Sequence, residues 1–256
     1  MNGEIEQLSR IVCCARKAML EHKDIEFSPC QYVRSVQFVF ASPFVFMPSA
    51  RADSVQDWFR LCQKRGLREV KLILPTATEQ RHLLGFANTS QGAILCRWKS
   101  GKNSYFVPTW NVYGQQQGWA VVYKECRNAA VPKTDIAPNN KTDEFKAVLS
   151  EIGAFAEEIG FPYFSEVFRK AYNALCDAEQ IDAAVVPSEI PDGFKGIYYA
   201  VSIADVFGAM GSWNDSPPCY ADEKGLTHRY NQLSDQLLYQ LRYHLMYITN
   251  HCREQN

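Results

Sequence analysis

The sequence predicts an α+β protein, with a mainly antiparallel sheet and helices in the N-terminal part and an all-helical C-terminal domain. Three observations carry that prediction. Short runs rich in Val, Ile and aromatic residues, punctuated by Gly, Pro and Asn, crowd the stretch from residue 36 to residue 123. Apolar stripes of helical period dominate from residue 142 onward. The charge also changes sign: residues 1–137 carry 18 Lys+Arg against 11 Asp+Glu, a net +7, and residues 138–256 carry 9 against 17, a net −8. A reversal halfway along a chain marks a domain division. The expected organisation is an α+β domain at 1–130, a linker at 131–140 and a helical domain at 141–256.

In the first part, Ile5, Leu8, Val12, Ala15 and Met19 recur at alternating three- and four-residue steps, one face of a helix over residues 2–22. Residues 36–40 and 44–47 are rich in Val and Phe and bounded by Pro43 and Pro48, which reads as two strands. Asp53 or Ser54 caps the next helix. Val55, Trp58, Phe59 and Cys62 form its apolar face, and Gly66 follows its end. A strand over 70–74 then gives an order compatible with a strand–helix–strand crossover. The exposed face of that helix carries Arg60, Lys64, Arg65 and Arg68, a solvated basic face. Residues 78–84 read as a short helix. Residues 93–98, 105–113 and 119–123, separated by turns at 100–103 and 114–118, read as a three-stranded meander.

In the second part, Thr142 opens a helix with Asp143 and Glu144 in its first turn, where carboxylates complement the dipole. Its stripe is Phe145, Val148, Leu149, Ile152, Phe155, Ala156 and Ile159, and Gly160-Phe161-Pro162 ends it. Ser165 is the expected cap of a second helix buried through Phe168, Ala171, Tyr172 and Leu175. A short helix covers 196–207. The last runs from about 227 to 252 on Tyr230, Leu233, Leu237, Leu241, Leu245 and Ile248. Two long helices joined by a short turn pack antiparallel, with the last helix across them.

Composition excludes several classes. Apolar residues make up 46% and charged residues 21% of the 256, enough for a packed core and against disorder. The longest apolar run, residues 38–47, is interrupted by Ser42 and Pro43 and is too short to span a bilayer. No signal-peptide core is present at the start, so a cytoplasmic protein is expected. The nine cysteines are odd in number, scattered, and form no Cys-x-x-Cys pair, as expected of reduced, buried thiols. Cys14 lies off the apolar stripe of its helix and is expected at the surface. Ser100-Gly101-Lys102-Asn103 lacks the upstream Gly and following Ser/Thr of a phosphate loop.

The candidate functional stretch is Gly208-Ala209-Met210-Gly211-Ser212-Trp213-Asn214-Asp215. The glycines stop the preceding helical pattern, Asn214 and Asp215 favour turns or caps, and Pro217 and Pro218 forbid an immediate new helix interior. Two readings stand. In the structural one the segment connects two helices and Trp213 plugs the core. In the functional one Ser212, Trp213, Asn214 and Asp215, with Asp205, form a binding site anchored on Trp213.

This segment, preceded by a helix, a Gly160 turn and a second helix and followed by a helix carrying Asn231-x-Leu233, resembles a family of small uncharacterised bacterial domains. Their mark is Gly-Gly-Met-Gly-Ser-aromatic-Asn-Asp before the last helix. The resemblance covers residues 141–252, with Ala209 in place of the second Gly, and implies an immunity-like protein. It implies nothing for residues 1–137.

No catalytic constellation matches a template. Cys219, after the two prolines, is the best-placed thiol for a nucleophile, and Asp205 with Asp215 is the best carboxylate pair for acid–base work or Mg²⁺. His244 and His251 stand seven apart, too far for a helical zinc pair. No metal and no cofactor is expected. Trp58, Trp98, Trp110 and Trp119 lie among basic residues, as in base-stacking sheets, but aromatics on a meander serve its core and the acidic second half repels phosphate. The sequence therefore leads to a non-catalytic protein-binding protein with a basic partner. Its alternative is a small-molecule enzyme with a site between the domains near Asp215.

Overall fold

The computed structural model describes residues 1–42, 48–78, 81, 84, 92–112, 118–127, 138–208 and 210–251. The chain divides into two compact units. One, the sheet unit, holds Gly3–Pro75, Thr89–Ile136 and Thr249–Asn256; the other, the helical unit, holds Met1–Asn2, Thr76–Asn88 and Ala137–Ile248. The α+β architecture expected from the sequence is the one observed. The expected strand at 44–47 and most of the segments at 78–84, 114–118 and 131–140 lie outside the described residues.

The sheet unit is built on β1 (Val33–Val39), β2 (Arg51–Ala52), β3 (Leu67–Ile73), β4 (Ala93–Trp98), β5 (Asn103–Val112) and β6 (Trp119–Arg127). Their spatial order is β2-β1-β6-β5-β4-β3, and every neighbouring pair is antiparallel except β1 with β6. The expected crossover is corrected here. β3 follows α2 (Val55–Lys64) but lands at the far edge, because the β3–β6 meander fills the middle of the sheet and returns its last strand to β1. β1 and β3 are therefore not neighbours.

Helices α1 (Gly3–Glu21) and α2 cover the same face. Phe38 and Tyr123 are register partners on β1 and β6, so they share a face. Trp58 of α2 stacks on Phe38 at 4.8 Å, and Gln7 of α1 donates to the Tyr123 hydroxyl at 2.9 Å. Phe106 completes this core edge-on to Phe38 and Trp58. Burial pushes the Tyr123 phenol well above its ordinary value, so it stays neutral. Ser54 caps α2 by accepting from Asp57 N, and Gly66 takes the left-handed φ of +82° that closes it. α1 is buried on more than one stripe: Cys14, expected at the surface, is 3% exposed, because Gln7, Cys13, Cys14 and Arg16 are enclosed along with Leu8 and Val12.

The β3 edge is capped by side chains, and the opposite edge carries only a short strand. β2 is two residues long. On β3, the Asn250 amide accepts from Leu72 N at 2.7 Å and donates to Leu72 O at 3.0 Å, and Arg16 donates to Val70 O at 3.2 Å. Side chains thus occupy backbone groups that a further strand would need.

The helical unit contains α3 (Thr142–Glu158), α4 (Pro162–Cys176), α5 (Lys195–Ala204), α6 (Pro217–Glu223) and α7 (Thr227–His251), whose last residues count with the sheet unit. Asn140 accepts from Thr142 N at 3.0 Å at the start of α3. Two expectations change. α4 begins at Pro162, three residues before Ser165, since proline at the first helical position needs no N–H partner and is preset in φ. Its buried face is Phe164, Phe168, Ala171 and Ala174, which turns Tyr172 outward. For the same reason Pro217, read as unfit for a helix interior, stands at the start of α6. The α7 stripe is buried as read, with Tyr230, Leu233, Leu237, Leu241, Leu245 and Ile248 each under 5% exposed.

Candidate functional site

The loop between α5 and α6 is organised around Trp213, which has no exposed surface. Its indole stacks on Tyr230 of α7 at 5.6 Å and meets Phe164 and Phe168 of α4 edge-on at 5.2 and 5.5 Å. Its Nε1–H donates to Ser234 Oγ at 2.8 Å, its carbonyl accepts from the Tyr230 hydroxyl at 2.7 Å, and its N–H donates to Val206 O at 3.0 Å. Every polar group of this residue is used, as burial demands. Trp213 is thus a core plug, and the reading of it as a surface anchor is corrected: the apolar faces of α4 and α7 leave a space of indole size between them.

The remaining loop candidates are tied to the loop itself. Ser212 Oγ accepts from Asn214 N at 3.2 Å, and Ser212 O accepts from Asp215 N at 3.1 Å. Asp215 Oδ2 accepts from Gly211 N at 2.8 Å, and Gly211 adopts the left-handed φ of +78° that this turn requires. Asp205 lies elsewhere in the unit, accepting from Asn2 N at 2.9 Å. Desolvation raises its pKa above the ordinary carboxylate value, against the pull of the N-terminal ammonium, Asn2 N–H and Arg242.

Asn214 faces a residue that no local pattern connects with it. The side chain of Arg81, 9% exposed, directs each guanidinium nitrogen at a different oxygen: Nε at Asp235 Oδ1 (2.8 Å), Nη1 at Asn214 Oδ1 (3.1 Å) and Nη2 at Asn231 Oδ1 (2.9 Å). The guanidinium carbon lies 5.3 Å from the Tyr230 ring centre, and Asn214 Nδ2 donates back to Arg81 O at 3.2 Å. Two adjacent rows of α7 divide the work. Tyr230 and Ser234 hold Trp213; Asn231 and Asp235 hold Arg81. The spacing of four within each row places both members on one helix face.

Other ionisable groups are accounted for similarly. His244 on α7 is fully buried, stacks on Phe145 at 4.8 Å, and has Nδ1 at 2.9 Å from Gln240 O; burial lowers its pKa to about 4. In the sheet unit the buried Glu125 carboxylate accepts from Ala41 N at 2.8 Å and lies 3.6 Å from Arg65 and 3.5 Å from Arg127. Nearby, the buried Cys62 thiol is pushed well up by desolvation and by Cys96, which makes it a poor nucleophile. Among the described residues no group of three or more His, Cys, Asp or Glu is placed to hold a metal ion. Cys219 is exposed. An open cleft of about 760 Å³ lies in the helical unit between the start of α3, the end of α4 and the start of α5, lined by Lys141, Lys146, Cys176, Asp192 and Gly196 among others; Asp215 is not in its lining. No described helix is long and apolar enough to cross a membrane.

Sequence reasoning missed Arg81 as the partner of Asn214, and with it Asn231 and Asp235, which bind the same guanidinium. Asn231 stood beside the apolar stripe of α7, but its partner is 150 residues away and carries no local signal. No protein-family model, curated protein or solved structure matches the chain.

Proposed function

We propose that the chain is a cytoplasmic, non-catalytic protein-binding protein, immunity-like in character, whose helical unit docks a basic partner. One observation carries this reading. Aromatic side chains stand out of the helical unit around the outer end of the Trp213 core: Tyr163 is 71% and Tyr220 48% exposed. Phe161 packs edge-on against Tyr220 at 5.0 Å, and Tyr163 against Phe164 at 5.4 Å, so the exposed rings are continuous with the packed ones. Rigid tyrosines on a fixed base give large contact area at little entropic cost, and such residues dominate interfaces. Exposed carboxylates of Glu157, Asp222 and Glu223 lie close by in sequence, within a stretch of net charge −8, which favours a basic partner and speeds encounter with it. The resemblance of residues 208–215 to immunity-like domains points the same way.

The test is affinity capture of a basic host protein by the wild type and by a Tyr163→Ala/Tyr220→Ala double variant. Capture by the wild type alone, weakened by added salt, with equal melting temperatures for both forms, is the expected result. Capture unaffected by the double substitution would remove the aromatic surface from the reading. Asn214 and Asp215 are poor test positions, since both hold the loop together. The rival reading, a small-molecule enzyme, is favoured by one feature, the cleft beside Cys176. A saturable thermal stabilisation of the wild type by a metabolite, abolished by filling the cleft with Gly193→Phe, would support it.

A further inference from the structure

We propose that the surface formed by Asn214 and the Tyr230–Asp235 stretch of α7 is an arginine-recognition site, filled in the free protein by the chain's own Arg81 and able to accept an arginine side chain from another molecule. The pocket's selectivity stands on geometry alone; the idea that a partner supplies the incoming arginine rests on the protein-binding reading.

The geometry is specific to a guanidinium. Three oxygens on three side chains address its three nitrogens separately, at 2.8, 3.1 and 2.9 Å. The guanidinium carbon lies over the Tyr230 ring at 5.3 Å from its centre, a cation–π contact that aromatic rings make more often with arginine than with lysine. An ammonium places its donors around one atom and cannot reach Asp235, Asn214 and Asn231 together in this plane. The receptor side is set without the Arg81 side chain. Tyr230 is fixed by its hydroxyl on Trp213 O and by the indole, Asn231 and Asp235 are carried on a helix, and Ser212 Oγ holds the N–H of Asn214. The site also reaches solvent, since the Asp235 side chain is 43% exposed. A preorganised pocket, an exposed acid at its mouth and a single carboxylate for a single cation describe a binding site more closely than a packing contact. Arg81, tethered within the same unit, occupies it at an effective concentration of about millimolar or above.

The experiment uses the full chain. Arg81→Ala empties the pocket, and N-acetyl-arginine amide is titrated against it, with N-acetyl-lysine amide as the control. The expected result is a saturable rise in melting temperature with the arginine compound, roughly 3–6 °C at about tenfold above its Kd, and none with the lysine compound. The rise should vanish in Arg81→Ala/Asn231→Ala, and the wild type should show none, because its site is filled. Equal responses to the two amides, or no response to either, would overturn the proposal. Should Arg81→Ala not fold, Arg81→Lys keeps the stem and charge and is titrated in the same way; a shift specific to arginine supports the site and no shift sinks it. These readouts contain no partner protein, so they fail separately from capture on the Tyr163 and Tyr220 surface.

Discussion

Trp58 in the sheet unit and Trp213 in the helical unit are both completely buried, yet they are held in different ways. Trp58 is held by shape. Its ring stacks on Phe38 and meets Phe106 edge-on, and among the described residues its Nε1–H has no acceptor. Trp213 is held by shape and by a complete set of hydrogen bonds, to Ser234 through its ring and to Val206 and Tyr230 through its backbone. A regular sheet satisfies its own backbone, so an aromatic resting on it needs only area. An irregular loop must have its polar groups satisfied by side chains. Trp58 can therefore lose its ring N–H without losing a hydrogen bond, and Trp213 cannot.

The largest expected effect sharpens that contrast. Trp58→Ala and Trp213→Ala should each cost about 3–5 kcal/mol in chemical denaturation, through the cavity left behind. Trp→Phe separates the two sites. At Trp58 it removes ring area alone; at Trp213 it also removes the Nε1–H that donates to the buried Ser234 hydroxyl, an added cost of about 1 kcal/mol. Equal costs for the two phenylalanine variants would break the comparison.

Acid should act on the helical unit first. His244 is buried and neutral, with its pKa lowered from 6.5 to about 4 chiefly by desolvation, whereas His22 of the sheet unit is exposed. Below pH 6.5 the unfolded chain binds a proton that the folded chain refuses. The stability due to neutral His244 is complete above that pH and falls as the pH drops from 6.5 toward 4, by about 3 kcal/mol in all. His244→Phe, which keeps the ring on Phe145, should flatten this slope in pH-dependent melting. An unchanged slope would show that other groups govern acid sensitivity.

A smaller effect compares ion pairs. Asp235→Ala should cost about 1–3 kcal/mol, because it leaves the guanidinium of an arginine that is 9% exposed without its counter-charge. Arg60→Ala, which breaks the exposed pairs with Asp24 and Asp57, should cost much less, because water and salt screen those charges. Melting curves of the two variants in the same buffer decide it, and added salt should weaken only the second.

Much of this architecture could be read from the sequence because period is a local property. The meander, the apolar face of α2 and the α7 stripe each repeat within a few residues, and burial follows them. The structural reading of Trp213 was equally accessible, since the motif names a large aromatic beside turn residues. The clasp was not. Arg81 reaches Asn214, Asn231 and Asp235 across 133 to 154 residues, and nothing near Arg81 distinguishes it from a solvated cation. Burial of Cys14 was hidden for a related reason: a helix enclosed on several sides loses the single stripe on which the reading depends.

The smallest effect concerns where helices start, and it compares two serines that the sequence presents alike. Ser54 stands before α2 with extended backbone and accepts from Asp57 N at 3.0 Å, satisfying one of the free N–H groups of the first turn. Ser165 has the same look in the sequence but lies within α4, whose N-terminus is set by Pro162 without a side-chain cap. Ser54→Ala should therefore destabilise the sheet unit by about 1 kcal/mol. Ser165→Ala should be neutral or stabilising by about 0.5 kcal/mol, since alanine is the better interior helix former. A loss at Ser165 matching that at Ser54 would mean that α4 begins at the serine after all, and that the proline ahead of it does not determine the start of the helix.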